Sequence, residues 1–329
     1  MANLDRGFWF KQYIYFEPPA DAIEGFDTDW IIYENRSDST YVTVVGYKGS
    51  STEITIPDYI GTRYVRMDTS SNYYGFLNTT ASESTGNNVT SIGISKYVTG
   101  YSNQIENSLS NVFKQSKALT TFTGDIPNTV TDLTHLFRYS YNLTGDISNI
   151  PNSVTDIAHA FGQCYNLNGT ISELPNSITN MAYTFYFCNK LTGNIPNLPT
   201  NVDNICYTFC ECSNLIGNAP NIPDSVTNAA YTFSDCTNLT NFPSYIGTNV
   251  LNMCGTFSSC CNIVGNVIGI PNKVIDMTIS FSYCNNITGT IPNIPDSVTT
   301  MSGAFINCFN ITGLPLYIGS SVTKYVKYF

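Results

Sequence analysis

Phenylalanine returns every 24 residues through most of this chain, at Phe113, Phe137, Phe161, Phe185, Phe209, Phe233, Phe257, Phe281, Phe305 and Phe329. In step with it run Val130, Val154, Ile178, Val202, Val226, Val250, Val274, Val298 and Val322. Ile or Leu stands four residues before each, and Leu133, Ile157, Met181, Ile205, Ala229, Met253, Met277, Met301 or Tyr325 three residues after. A fixed period without insertions is the signature of a stacked-repeat architecture. One unit offers about six apolar side chains, on the order of 10 kcal/mol gross, against roughly 1–2 kcal/mol of backbone entropy for each ordered residue. A lone unit therefore cannot fold. The pattern predicts a solenoid of about ten 24-residue coils over residues 102–329, with its stability in the interfaces between coils.

In the unit PNSITNMAYTFYFCNKLTGNIPNL, which begins at Pro175, the Val, Met, Phe and Cys columns fall at offsets 0, 3, 7 and 10. That is the spacing of one helical face and predicts a short helix or helical turn. The following N-L-x-G-x-I stretch alternates apolar residues and predicts a brief strand, with Pro and Gly turning the chain into the next coil. The expected fold class is an α/β repeat, each coil having a strand side and a helical side.

Seven of the 11 cysteines form a column at Cys164, Cys188, Cys212, Cys236, Cys260, Cys284 and Cys308, three residues after each Phe. An inward position with no C-x-x-C pairing favours small buried hydrophobes over disulfides or a metal, and many unpaired thiols suit folding in a reducing cytosol. Cys206 and Cys254 share a second column of small residues. A further column, Asn142, Asn166, Asn214, Asn238, Asn262, Asn286 and Asn310, broken by Lys190, creates N-x-T sequons. At a fixed turn position such Asn side chains bond the backbone or adopt a left-handed conformation, and this is favoured over glycosylation.

Units such as IPDSVTTMSGAFINCFNITG and IPNSVTDIAHAFGQCYNLNG resemble the leucine-rich repeats of the BspA-like surface-protein family, and the V-T-x-M and F-x-x-C portion is similar to repeats common on mycoplasma and gut-bacterial surface proteins. The resemblance covers residues 102–329 and implies a right-handed leucine-rich solenoid used in adhesion and recognition. Upstream, YVTVVGYKGSSTEITIPDYIG resembles the strand-rich opening of such domains, while Val89-Thr-Ser-Ile-Gly is a fragment out of phase with the repeat.

Before the repeat, residues 1–24 form an aromatic arm carrying Phe8, Trp9, Phe10, Tyr13, Tyr15 and Phe16, a candidate cap or anchor to other subunits of an assembly. Residues 25–101 form a β-rich region in which WIIY, YVTVV and EITI predict three short strands, with a Ser/Asn-rich loop over 68–88. At the far end Lys324, Tyr325, Lys327 and Tyr328 replace small or apolar residues, as a terminal cap would.

With 14 Lys and Arg against 24 Asp and Glu, the net charge of -10 argues against nucleic acid and anionic membrane partners. No stretch predicts a signal peptide, an anchor or membrane insertion. The two histidines, His135 and His159, share a column with Tyr183, Tyr207 and Tyr231, which makes them repeat variants and not catalytic partners. The expectation is a non-enzymatic protein needing no cofactor and no metal. The His135, His159, Tyr183, Tyr207, Tyr231 column is the candidate binding stripe, suited to sugars or proteins, with half-buried packing as its other reading. The presumed strand-face columns, Thr144, Asn168, Thr192, Ile216, Thr240 and Asp146, Thr170, Asn194, Asn218, are neutral or polar and suit a glycan or peptide. The functional expectation is a recognition protein borne on a virion, as a phage tail or head appendage folded in host cytosol, that contacts a host surface protein or glycan. The alternatives are a bacterial or protist cell-surface adhesin and a structural component of a larger assembly.

Overall fold

Stacking like residues at 24-residue intervals puts identical side chains face to face, and the Phe column shows the result. In the computed structural model, which describes residues 30–34, 41–47, 50–57, 59–60, 63–68, 89–94, 99–102, 105–147 and 149–323, nine consecutive phenylalanines from Phe113 to Phe305 stack with ring centroids 5.3–5.9 Å apart. The Val column from Val130 to Val298 and the Leu/Ile column from Leu119 to Ile287 are buried beside this spine. Each ring contributes about 1.5–3 kcal/mol by burial, and each stacked pair about 0.5–1.5 kcal/mol more.

The helical side of the coil is not a helix: among the described residues there is none. From Leu133 to Ser140 the chain instead makes overlapping four-residue turns, with Leu136 N–H donating to Leu133 O (3.0 Å), Arg138 to His135 O (3.2 Å) and Ser140 to Phe137 O (2.9 Å). The alternate N–H groups, of Leu133, His135, Phe137 and Tyr139, leave the coil and donate to Asp156, Ala158, Ala160 and Gly162 of the next, at 2.7–2.9 Å. An α-helix would keep all of these N–H groups for itself, so the parallel neighbour competes for half of them and wins. His135 (φ 60°) and Tyr139 (φ 66°) take the left-handed conformation that the third residue of a type II turn requires. The same two columns do so in every coil through Gly303 and Asn307.

On the strand side the N-L-x-G-x-I stretch does form short parallel strands: β10 (Gly217–Asn218) beside β11 (Leu239–Asn241), and β12 (Gly265–Asn266), β13 (Ile287–Thr290) and β14 (Ile311–Gly313) in order. In earlier coils it is reduced to single bridges such as Ile147 with Ile171. The three expected amino-terminal strands are present as β1 (Trp30–Glu34), β2 (Tyr41–Tyr47) and β3 (Glu53–Ile56). They belong to the same stack. β2 runs parallel to β5 (Arg63–Asp68), and β5 to β7 (Thr99–Ser102); β3 runs parallel to β6 (Ser91–Ile94), and β6 to β9 (Thr121–Phe122). The fragment from Val89 is therefore out of the 24-residue phase yet in place, since its Ser91–Ile94 bridges Glu53–Ile56 to Thr121–Phe122. β1 closes one edge antiparallel to β2, and β4 (Tyr59–Ile60) and β8 (Ile105–Glu106) form antiparallel pairs with β5 and β7.

Candidate functional site

The turns decide what reaches the surface of that side. Because His135 and its equivalents sit at left-handed φ between two inward residues, their side chains emerge half-buried beside the core. The five rings of the expected stripe form one continuous pile: His135 on His159 at 4.5 Å, then His159, Tyr183, Tyr207 and Tyr231 at 4.6 Å each, with successive planes within 23° of parallel. At Gly255 the pile ends. A Cβ there would lie 2.5 Å from the Tyr231 ring, so the glycine makes room for the last tyrosine.

A second row of aromatics, not singled out in the sequence, flanks the first. Tyr141 stacks on Tyr165 (5.2 Å), Tyr165 meets Phe187 edge-on, and Tyr186 packs edge-on against Phe187, Tyr183 and Tyr207. Tyr139 lies under the Arg138 guanidinium at 4.7 Å, and Arg138 Nη1 is 3.3 Å from His135 Nδ1. The repeat at Tyr141 and Tyr165 was the available signal for this row.

Burial disfavours the charged forms of the stacked rings. It lowers the His135 imidazole to about 4 and that of His159 to about 3, with Arg138 and Lys114 adding repulsion in both and the neighbouring His135 in the second. Burial also raises the phenols of Tyr183 and Tyr231, and pushes Tyr207 up to about 12. The His159 Nδ1 atom is buried without a hydrogen-bond partner.

The pile limits what the stripe can hold. Tyr207 has one tyrosine on each face, so a pyranose cannot lie on it; the stripe offers ring edges and hydroxyls. All five rings are half-buried in the pile, as the packing reading expects, and His159, Tyr183 and Tyr207 have both faces covered. The strand-face residues Thr144, Asn168, Thr192, Ile216 and Thr240, with Asp146, Thr170, Asn194 and Asn218, are all exposed. Asp146 Oδ1 there accepts from Thr170 N–H (2.7 Å) and hydroxyl (3.0 Å), which lowers its carboxyl further. The arm residues Phe8, Trp9, Phe10, Tyr13, Tyr15 and Phe16 lie outside the described residues, as do the last residues Lys324 to Phe329.

All eleven cysteines are free thiols. The column is more than a set of small hydrophobes: each thiol donates to the carbonyl of a Phe in the preceding coil, from Cys164 to Phe137 O (3.2 Å) to Cys308 to Phe281 O (3.0 Å). Ser140 holds the same place one coil earlier and donates to Phe113 O at 2.8 Å. Burial pushes these thiols far from thiolate, Cys188 up to about 12. Three members of the Asn column bond backbone as expected, Asn142 to Lys117 O (2.8 Å), Asn286 to Cys261 O (2.9 Å) and Asn310 to Asn285 O (2.8 Å), while Asn166 donates to the Asn142 side-chain oxygen at 3.1 Å. The column's residues are not left-handed, however; that conformation belongs to the His135 and Tyr139 columns. Among the described residues no group of three His, Cys, Asp or Glu converges as a metal site would, and no helix is long and apolar enough to cross a membrane.

Residues 107–222 match the family described as a Mycoplasma protein of unknown function, DUF285, whose repeats are of the BspA type. No curated protein matches the chain. Similar solved structures include a leucine rich cell surface protein from Faecalibacterium prausnitzii A2-165 (18% identity, 88% of this chain and 93% of that one, TM-score 0.38). A leucine rich repeat protein from T. pallidum is similar over 71% of this chain and 88% of that one (17% identity, TM-score 0.41). A leucine-rich repeat protein from Bacteroides ovatus ATCC 8483 is similar over 92% and 100% respectively (20% identity, TM-score 0.37).

Proposed function

Starting from a coil of the BspA-like leucine-rich type, we propose that this chain is a non-enzymatic recognition or adhesion protein that contacts a protein partner through its aromatic turn face. The observation that carries the proposal is the two-row band running from His135 to Tyr231, with Arg138 set against it. Tyrosine and arginine are the residues most enriched where protein interfaces hold their binding energy. A rigid stack of turns presents them with little ordering left to do on binding. The buried thiol column fits synthesis in a reducing compartment.

The finer proposal places the protein on a virion, assembled in host cytosol and displayed to a new host; a cell-surface adhesin of the BspA-like type is the alternative. Mass spectrometry of purified particles separates the two. The contact surface is tested by flow cytometry of the labelled chain on a panel of bacterial cells. Replacing Tyr165→Ala and Arg138→Ala together should weaken cell binding at least about tenfold. Unchanged binding by the doubly substituted protein would refute the assignment of the turn face.

A further inference from the structure

We infer that the groove beside Tyr317 is a binding site for a neutral β-linked hexopyranose. It lies away from the aromatic turn face, in the column Tyr245, Gly269, Asn293, Tyr317, and goes beyond the turn-face reading without depending on it.

A sugar is amphipathic: its ring C–H face wants an open aromatic or aliphatic surface, and its hydroxyl rim wants fixed carboxylates and amides. Tyr317 supplies the first. The residue is 46% exposed and its ring, unlike those of the turn face, makes no ring contact among the described residues. It is also held at both ends. The phenol hydroxyl donates to Asp296 Oδ1, and the backbone N–H to Asn293 Oδ1 at 3.0 Å. Asp296 Oδ1 in turn accepts from the Ser320 N–H at 2.9 Å and hydroxyl at 3.2 Å. The Tyr317 hydroxyl and both Ser320 donors thus converge on one carboxylate oxygen of Asp296, and among the described residues no donor is directed at the other.

The chain builds the same unit three coils earlier. There Tyr245 O–H donates to Asp224 Oδ1 (2.7 Å), Thr248 N–H to the same oxygen (2.7 Å), and Tyr245 N–H to Asn221 Oδ1 (3.0 Å). Between the two tyrosines the column narrows to Gly269 and Asn293. No heavy atom lies within 4 Å of the place a Gly269 Cβ would occupy, so the missing side chain leaves open space there. The recess is a cavity of about 560 Å³ with an apolar floor of Ile270, Pro292 and Pro295 and a polar rim of Asn272 and Asp296, with Tyr317 as its wall. That volume suits a small-molecule ligand of sugar size. The net charge of -10 and the Asp296 carboxylate exclude acidic sugars in favour of neutral ones. Of the neutral hexopyranoses, the β-gluco form carries all ring substituents equatorially and so has the flattest C–H faces.

The test is titration of cellotetraose into the full chain by calorimetry and saturation-transfer NMR. Millimolar affinity is expected, with transfer concentrated on the C–H protons of one ring face. Tyr317→Ala should weaken binding at least about tenfold, whereas Tyr317→Phe, which keeps the ring face, should lose no more than about threefold. Asn272→Trp, which fills the recess from an exposed position, should abolish binding and guards against a folding defect in Tyr317→Ala. The Tyr165→Ala, Arg138→Ala protein should bind the sugar unchanged, so failure of the turn-face proposal is read separately. No saturation transfer at about 10 mM cellotetraose, or transfer that survives both Tyr317→Ala and Asn272→Trp, would overturn the assignment.

Discussion

Replacing Cys212 distinguishes a thiol that merely fills space from one that holds two coils together. Cys212 is fully buried, and its Sγ donates to Phe185 O of the preceding coil at 3.0 Å. Cys212→Ala removes roughly one methylene equivalent of buried surface, about 0.8 kcal/mol, plus the small void left behind. It also removes a weak hydrogen bond of about 0.5 kcal/mol. Because Phe185 O keeps the Cys188 N–H at 2.9 Å, the carbonyl is not orphaned, and the total is about 1.5–2 kcal/mol. Cys212→Ser keeps a donor in the place where Ser140 already bonds Phe113 O at 2.8 Å, so it should cost no more than about 1 kcal/mol. The expected order is wild type, then Ser, then Ala. Were the thiol only a hydrophobe, the hydroxyl would be buried without a partner at about 1–3 kcal/mol, and Ala would outrank Ser. Urea unfolding followed by tyrosine fluorescence, with midpoints compared at constant slope, gives the order, and a serine variant less stable than alanine refutes the hydrogen-bonding role.

At Gly255 (φ 61°) an added Cβ meets the Tyr231 ring at 2.5 Å, whereas at Gly265 (φ 91°) it meets nothing within 4 Å. Both alanine variants bear about 1 kcal/mol for left-handed backbone, and Gly255→Ala should lose about 1 kcal/mol more with a changed near-ultraviolet tyrosine signal; equal melting shifts would contradict the contact. For His135 and His159, folded values of about 4 and about 3 lie below the unfolded value of 6.5, so the unfolded chain binds more protons in between. Stability from these neutral imidazoles is complete above about pH 6.5 and is lost as pH falls through 4 towards 3, by about 1–2 kcal/mol each after discounting for solvent screening. His159→Tyr, the residue the next coil uses, should flatten the decline between pH 7 and 4 in urea midpoints; an unchanged slope would show that the carboxylates cause it.

The period made the spine legible: Phe, Val and Cys columns in strict phase can only be stacked cores. Offsets of 0, 3, 7 and 10 describe a helical face equally well as a run of turns with a left-handed residue at every fourth position. Bulky residues such as His135 and Tyr139 at those positions concealed the difference, and only Gly255 and Gly303 in the same column hinted at positive φ. The amino-terminal coils were illegible because their strands pair at unequal intervals, Tyr41 with Tyr64 but Arg66 with Thr99. The stripe could be listed from its spacing, yet whether its ring faces were open depended on the coil separation. The Tyr317 groove was missed because it is made by the small residues of its column, Gly269 and Asn293, as much as by the tyrosine.

Since each coil gives alternate N–H groups to the carbonyls of its successor, the molecule can change length only by whole rungs. Gain or loss of one 24-residue unit leaves every other rung bonded as before, while a shift of a single residue would set donors against donors along the seam. Duplication or deletion of whole rungs is therefore a safe route to longer or shorter versions, and the reach of the molecule becomes a trait that evolution can adjust in steps of about 4.8 Å.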